Sequence, residues 1–238
     1  MHFTSILRTA GASLYEISER LNLENMRRQV GLAESPVNVI DLGCGDGTAT
    51  KAVTADLRSA TIRAVENHGP SRAVALERNI DAIDSDLDGT LPFGDDCADV
   101  IISNQVIEHL ADTDNFLEEM HRILRPGGLA VVSTENIASW HNIGALVLGF
   151  QPFSSSNYSL RRYPLGNPLS LHHGQRVAVV APGMLHRRMF SSRALKELFT
   201  AHGFKVLDVR GSGYHPWPPQ LGRLDVAHAH FISVAARK

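Results

Sequence analysis

The chain has 238 residues, 43% of them hydrophobic and 20% charged, with a formal net charge of −2. That balance suits a soluble globular protein of one large domain, or one domain with an inserted cap, and argues against a general nucleic-acid binder. Two cysteines, Cys44 and Cys97, exclude a disulfide framework and a cysteine-rich metal cluster, which fits a reduced, cytoplasmic setting.

The opening M-H-F-T-S-I-L-R lacks a basic start followed by an apolar run and a cleavage site. No signal peptide is expected from it, and no apolar run reaches the length of a membrane span. From Ser5 to Gln29 the spacing of Ile6, Leu14, Ile17, Leu21 and Leu23 among charged residues is helical, so residues 1–36 read as an N-terminal helical segment. Val37, Val39 and Ile40 are β-branched and predict the end of a buried strand, with Asp41 at its carboxyl end. Gly43, Gly45 and Gly47 then alternate with other residues before a helix predicted from Thr48 to Leu57. A strand, a glycine-rich turn and a helix form the nucleotide-holding corner of a doubly wound α/β sheet.

A second strand is predicted at Thr61 to Val65, ending at Glu66, then a short helix at Ser71 to Asn79. A third strand, Ile80 to Ile83, runs into the acidic stretch Asp84, Asp86 and Asp88, and a fourth spans Val100 to Ser103. Asn115 to Leu124 reads as a helix with Phe116, Leu117, Met120, Ile123 and Leu124 on its apolar side. Arg125-Pro126-Gly127-Gly128 stops it before a fifth strand at Leu129 to Ser133. Residues 135–189 then read as irregular, rich in Gly, Pro, Ser, Asn and His, and too long for a plain connection. Segments of that kind serve as lids, so a substrate-binding lid is expected there. A helix from Ser191 to His202 begins on a serine and ends before Gly203. A sixth strand, Phe204 to Val209, and a seventh, Ala229 to Ala235, are joined with no helical crossover, which predicts an antiparallel last strand. The expected fold is a single α/β domain: a seven-stranded sheet, mostly parallel, with helices on both faces and a lid insertion.

The glycine loop reads D-L-G-C-G-D-G. Its third glycine comes one residue earlier than in the dinucleotide fingerprint, and Asp41 and Asp46 would be poor neighbours for a pyrophosphate. They suit an ammonium or sulfonium ligand. The segment resembles the first motif of class I S-adenosylmethionine-dependent methyltransferases, [D/E]-x-G-x-G-x-G, matching it at Asp41, Gly43, Gly45 and Gly47. The resemblance extends over residues 37–136, and weakly to the end of the chain. It implies a Rossmann-like fold, S-adenosylmethionine as cofactor, and a loop of Asp41, Gly43, Cys44 and Gly45 against it. In that family the second strand ends in an acidic residue that takes the ribose hydroxyls; Glu66, followed by Asn67, stands there. Asp86 with Leu87 matches the position beside the adenine amino group, with Asp84 as its rival. In D-V-I-I-S-N-Q-V-I-E-H-L, Ser103, Asn104 and Gln105 match the stretch beside the methionine part of the cofactor, and Glu108-His109-Leu110 is familiar from the small-molecule branch. R-P-G-G-L-A-V-V-S also fits that branch, while no N-P-P-Y-like tetrapeptide of the base-methylating enzymes is present.

The resemblance implies methyl transfer to a small molecule or a glycan or lipid precursor, at oxygen in preference to nitrogen or carbon. A regulatory domain that binds the cofactor without catalysis is the other reading, and a nucleotide-binding oxidoreductase a distant third. An oxygen acceptor must lose a proton, and histidine is the usual base near neutral pH. His109 is the first candidate, its bland alternative being a histidine that orders the loop; His172, His173 and His186 follow. Trp140 and His141 could line the acceptor cavity, with core packing as the alternative for Trp140. Arg161, Arg162, Arg176, Arg187 and Arg188, with Glu135 as the only acid of the lid segment, suit an anionic acceptor or a solvated loop. No metal site is predicted.

Overall fold

The structure is a computed structural model and describes residues 2–33, 38–57, 59–155, 166 and 185–238, with side chains of the first helix from Ser13 onward. Helix α1 (His2–Val30) leads into β1 (Asn38–Leu42), α2 (Thr48–Val53), β2 (Thr61–Val65), α3 (Gly69–Glu77), β3 (Asp81–Ile83) and β4 (Ala98–Asn104). Then come α4 (Thr113–Ile123), β5 (Leu124–Glu135), α5 (Trp140–Val147), α6 (Ser192–Ala201), β6 (Lys205–Ser212) and β7 (Phe231–Arg237). The seven strands lie in the order β3-β2-β1-β4-β5-β7-β6. All neighbours from β3 to β5 pair in parallel, and β7 runs antiparallel to both β5 and β6. The reversed last strand is the one the absent crossover helix implies.

Alternation along the strands divides the core into two layers. Val39, Val100, Ile102, Leu129, Val131 and Ala235 face Met26 and Val30 of α1 and Val53 of α2. On the other side, Ile40, Ile101, Val132 and Val234 pack with Phe116 and Met120 of α4 and Leu195 and Phe199 of α6. Helices therefore cover both faces, as a mostly parallel sheet requires.

Several boundaries differ from expectation. Helix α2 ends at Val53, four residues before Leu57, and β5 begins at Leu124, so that Arg125 to Gly128 join the strand. Val37 lies outside the described residues. The segment after β5 is not irregular throughout: Ser139 begins α5, an eight-residue helix. The buried stripe of α1 is more polar than the apolar spacing suggests, because Ser18, Asn22, Asn25 and Gln29 lie beneath it with Leu21 and Met26. Asn22 Nδ2 donates to Asn104 Oδ1 at 3.0 Å and to Ser133 Oγ at 2.9 Å, which ties α1 to the carboxyl ends of β4 and β5. Among the described residues no helix is long and apolar enough to cross a membrane.

The chain leaves β1 toward β2 and β3 on one side and β4 lies on the other. At such a switch point the loops beyond the strand ends part, and a crevice opens at the carboxyl edge.

Candidate active site

The glycine loop lines that crevice. Gly43 and Cys44 donate their amides to the Val65 carbonyl at 2.9 and 3.2 Å, which folds the loop back onto the end of β2. At Gly43, φ is +88° and an added Cβ would meet Val106 Cγ2 at 2.5 Å; at Gly47, φ is +79° and the clash is with Ile80 Cδ1 at 2.4 Å. Both positions need glycine on conformation and on space. Gly45 differs: a Cβ there would meet nothing within 4 Å, so this residue faces open space.

Glu66 lies against the loop. Its Oε2 accepts from the Gly45 amide at 2.8 Å and its Oε1 from the His68 amide at 2.8 Å. Asn67 beside it is exposed. Asp41 is buried and accepts from Thr50 Oγ1 at 2.6 Å. Burial pushes its carboxyl up to about 7, against the hydrogen bond from Thr50. Asp46 is not a partner for a cationic ligand, as its charge is matched by Arg78 at 2.8 Å and its carboxylate holds the Thr48 amide. Cys44 is buried and its thiol is pushed up to about 12, chiefly by burial, so it is a small inert side chain in the loop.

Past β3, Asp84 pairs with Arg72 at 3.0 Å, whereas Asp86 is exposed and accepts from the Asp88 amide at 3.0 Å. Leu87 packs against the core edge. At the end of β4 the three neighbours part company. Ser103 is fully buried and its hydroxyl donates to the Leu42 carbonyl at 2.8 Å, so that side chain is turned into the sheet and away from the crevice. Asn104 accepts from Ser133 Oγ at 2.7 Å, and Gln105, with φ +56°, donates its side-chain amide to the same Ser133 oxygen at 3.2 Å.

Immediately after that turn lies a basin of carboxylates and imidazoles. Glu108 is 2% exposed; its Oε2 accepts from Thr134 Oγ1 at 2.9 Å and its Oε1 has no partner among the described residues. Burial pushes its carboxyl up to about 8, helped by Glu135. His109 Nδ1 lies 3.1 Å from the Leu185 carbonyl, and its ring meets that of His186 edge-on at 4.8 Å. Burial, then His186, pushes the His109 imidazole down to about 4, so it is neutral at pH 7. His186 Nδ1 contacts the Ser154 carbonyl and lies 3.9 Å from Glu135 Oε2. The segment returns along this basin, with the Arg187 and Arg188 amides donating to the Glu108 carbonyl at 2.7 and 3.0 Å.

Glu135 also borders a second group, its Oε1 lying 4.0 Å from His230 Nε2. The rings of His141, His215 and His230 meet edge-on at 4.5 to 5.5 Å, and Tyr15 of α1 packs on His230 at 5.6 Å. Burial pushes His141 down to about 3 and His230 well below its ordinary value, and the neighbouring imidazoles push in the same direction. His215 and His230 escaped the sequence reading; the only signal is H-A-H directly before the last strand. Trp140 does not join the core: it is 36% exposed, stacks on His228 at 4.4 Å and donates to the Tyr214 hydroxyl at 2.8 Å. His172, His173, Arg161, Arg162 and Arg176 lie outside the described residues.

A 3-2-1-4-5-7-6 sheet with a reversed seventh strand, a glycine loop after β1 and a carboxylate after β2 define a Rossmann-like domain of the methyltransferase type. A family model described as "Methyltransferase domain" matches residues 15–209, and the chain belongs to that family as an S-adenosylmethionine-dependent methyltransferase. Among curated proteins, a ubiquinone biosynthesis O-methyltransferase of Bartonella bacilliformis is 23% identical over 209 residues, covering 84% of this chain and 73% of that one. A probable S-adenosylmethionine-dependent methyltransferase of Mycobacterium tuberculosis is 28% identical over 213 residues, covering 84% and 70%. Among solved structures, an S-adenosylmethionine-dependent methyltransferase of Thermotoga maritima, described as a possible histamine N-methyltransferase, superposes with a TM-score of 0.63 at 17% identity. That superposition covers 99% of this chain and 97% of that one.

Proposed function

We propose that this methyltransferase acts on a hydroxyl oxygen of a small-molecule, glycan or lipid-precursor acceptor, bound beside the carboxyl ends of β4 and β5. The observation that carries the reading is the basin of Glu108, His109, His186 and Glu135 at that edge. A neutral amine already offers a lone pair to an incoming methyl group, whereas a hydroxyl must give up its proton as it reacts. A fixed, neutral imidazole with a lone pair beside the Glu108 and Glu135 carboxyl groups serves the second need. His109 is the imidazole of the basin nearer in sequence to the end of β4, and its lone pair is the one we place toward the acceptor hydroxyl. The curated O-methyltransferase relative supports the same choice at low identity.

The crevice fits S-adenosylmethionine. Gly45 leaves room beside the loop, Glu66 offers a carboxylate next to it, and Asp41 holds a buried carboxyl that an ammonium group would ionise. In this reading Asp41, Gly43, Cys44 and Gly45 hold the methionine end, with Asn104 and Gln105 opposite. Glu66 and Asn67 take the ribose, and Asp86 and Leu87 take the adenine. Ser103 contributes through its strand alone, since its hydroxyl is engaged by Leu42. When bound, the cofactor supplies a methyl group on a sulfonium. The protein's own task is to align the acceptor and hold its proton, because in-line displacement at carbon depends chiefly on orientation.

The test is a matched panel of hydroxylated acceptors and their amine counterparts, incubated with methyl-labelled cofactor. Label should enter the hydroxyl compounds as methyl ethers, and His109→Ala should lower that turnover by about 10²–10⁴-fold. Label confined to the amines would sink the oxygen assignment.

A further inference from the structure

The basin has the makings of a cation site. Glu108, His109 and His186 each bring a donor atom within 4.8 Å of the other two. Donors arranged tetrahedrally around an ion held at about 2.0–2.2 Å stand about 3.3–3.6 Å apart. Closing the present arrangement therefore takes about an ångström or a little more of relative movement between the widest pair of side chains. A fourth group, Glu135, borders this cluster, its Oε2 lying 3.9 Å from His186 Nδ1 and lacking a hydrogen-bond partner among the described residues.

The hydrogen bonds behind these donors point the same way. His109 Nδ1 faces the Leu185 carbonyl and His186 Nδ1 faces the Ser154 carbonyl. A carbonyl can only accept, so each ring carries its proton on Nδ1 and its lone pair on Nε2. Imidazoles that bind metals are fixed in this way, with one ring nitrogen donating to a carbonyl or carboxylate and the other directed to the ion. Glu108 is fixed as well, by Thr134 on Oε2, which leaves Oε1 buried and unpartnered among the described residues. An unpartnered carboxyl oxygen in a buried site costs free energy that a cation, displacing the proton, would recover.

We propose that Glu108, His109 and His186 bind a divalent first-row transition-metal ion, with Glu135 beside it and positions left open for an acceptor oxygen. Two imidazoles with one carboxylate and open positions is a donor set suited to iron, cobalt, nickel or zinc, and is poorly suited to magnesium or calcium, which take oxygen ligands. Both sides of the site are supplied at a distance in sequence: His109 follows β4, while His186 returns from the segment after β5. The existence of the site rests on the protein's donors alone. Its role deepens the oxygen-methylation reading and rests on it: with the ion bound, His109 would serve as a ligand and not as the proton acceptor, the ion would polarise the acceptor hydroxyl, and Glu135 would take the proton as the methyl group arrives.

Cobalt(II) serves as the probe. The full chain, stripped with a chelator and dialysed, is titrated with Co²⁺ while the visible ligand-field absorption is followed, and zinc is then added in competition. One equivalent should bind with a low-coordinate spectrum that zinc abolishes. His186→Ala and Glu108→Gln should each weaken binding by about 10–100-fold or more, since loss even of outer partners has that effect. S-adenosylmethionine affinity, measured by calorimetry on the same samples, reports that each variant is folded. His186→Ala binding Co²⁺ as tightly as the parent, with cofactor affinity intact, overturns the site, and so does a parent protein that takes up no Co²⁺. If the spectrum and its loss in the variants are seen but chelator leaves methyl transfer to hydroxyls unchanged, the site stands and its catalytic role falls. The two readings therefore fail separately.

Discussion

Glu66 holds the glycine loop through two backbone amides, Gly45 and His68, and the same carboxylate is the group we place at the ribose. Glu66→Ala should therefore weaken cofactor binding by on the order of 1–3 kcal/mol, the loss expected when hydrogen bonds to a charged group disappear. Calorimetric affinities of parent, Glu66→Ala and Glu66→Gln check this, and an unaltered affinity in the alanine variant would move the ribose elsewhere. Asp41 offers a prediction without ligand. Its folded-state pKa is raised from 3.8 to about 7 by burial. A raised carboxyl contributes stability that is fully present below the unfolded value and is lost as pH rises through the folded one. Asp41→Asn imitates the neutral acid and does not titrate. Relative to the parent it should gain on the order of 4 kcal/mol between pH 4 and pH 8, at about 1.4 kcal/mol per pKa unit. Urea unfolding of both proteins across that range is the measurement, and a constant difference would mean that Asp41 does not hold its proton in the folded chain.

The first helix shows how polar residues can fix an element. Ser18, Asn22, Asn25 and Gln29 recur at helical spacing on its buried face, and Asn22 holds both Asn104 and Ser133. Asn22→Ala leaves those groups short of a donor in a buried place, so it should cost about 1–3 kcal/mol of stability. Thermal melts of the variant should also show a smaller shift on adding S-adenosylmethionine, because Asn104 and Gln105 share the Ser133 network. A melt identical to the parent's would show the network to be idle. The same helix marks a limit of reading from sequence. Its helical period was legible in Leu14, Ile17 and Leu21, but the polar half of its buried stripe looks like a solvent face until the partner strands are known. Strand β2 was legible to the residue because its β-branched run ends at a polar boundary, Glu66. Helix α5 was not, since eight residues containing Gly144 give too short a period to stand out from the glycine- and proline-rich stretch around it. The glycine loop and Glu66 were legible as candidates because their chemistry is local to one strand–loop–helix–strand unit. The basin was not, because His109 meets Leu185 across 76 residues, a distance no spacing rule spans. Asp46 and Ser103 read as ligand groups from their positions, and only the geometry turns them to Arg78 and Leu42.

At the scale of the whole molecule, the sheet separates two tasks. The carboxyl edge from β3 to β4 carries the loop, Glu66 and Asp86, while the edge from β4 to β7 carries the basin and receives the segment after β5. We infer that this segment closes over the acceptor, which gives a prediction of its own. Its two described ends come together, since His186 Nδ1 contacts the Ser154 carbonyl. Residues 156–184 can therefore be replaced by a short Gly-Ser linker without pulling on α5, Glu135 or His186. The residues we place around the cofactor, from Asp41 to Gln105, all precede the deleted stretch, so S-adenosylmethionine affinity should stay within about twofold of the parent's, given that distant, independent sites couple by under about 0.5 kcal/mol. Methyl transfer should fall by about 10²-fold or more, because closure over a reacting centre orders the acceptor and excludes water. Isothermal calorimetry and single-turnover transfer from labelled cofactor, run on the same preparation, separate the two effects. Lost affinity together with lost turnover would indicate a damaged fold, which far-ultraviolet circular dichroism then checks. Full turnover with residues 156–184 gone would leave the segment without a part in the reaction, and the acceptor would have to be held by β4, β5 and the first helix alone.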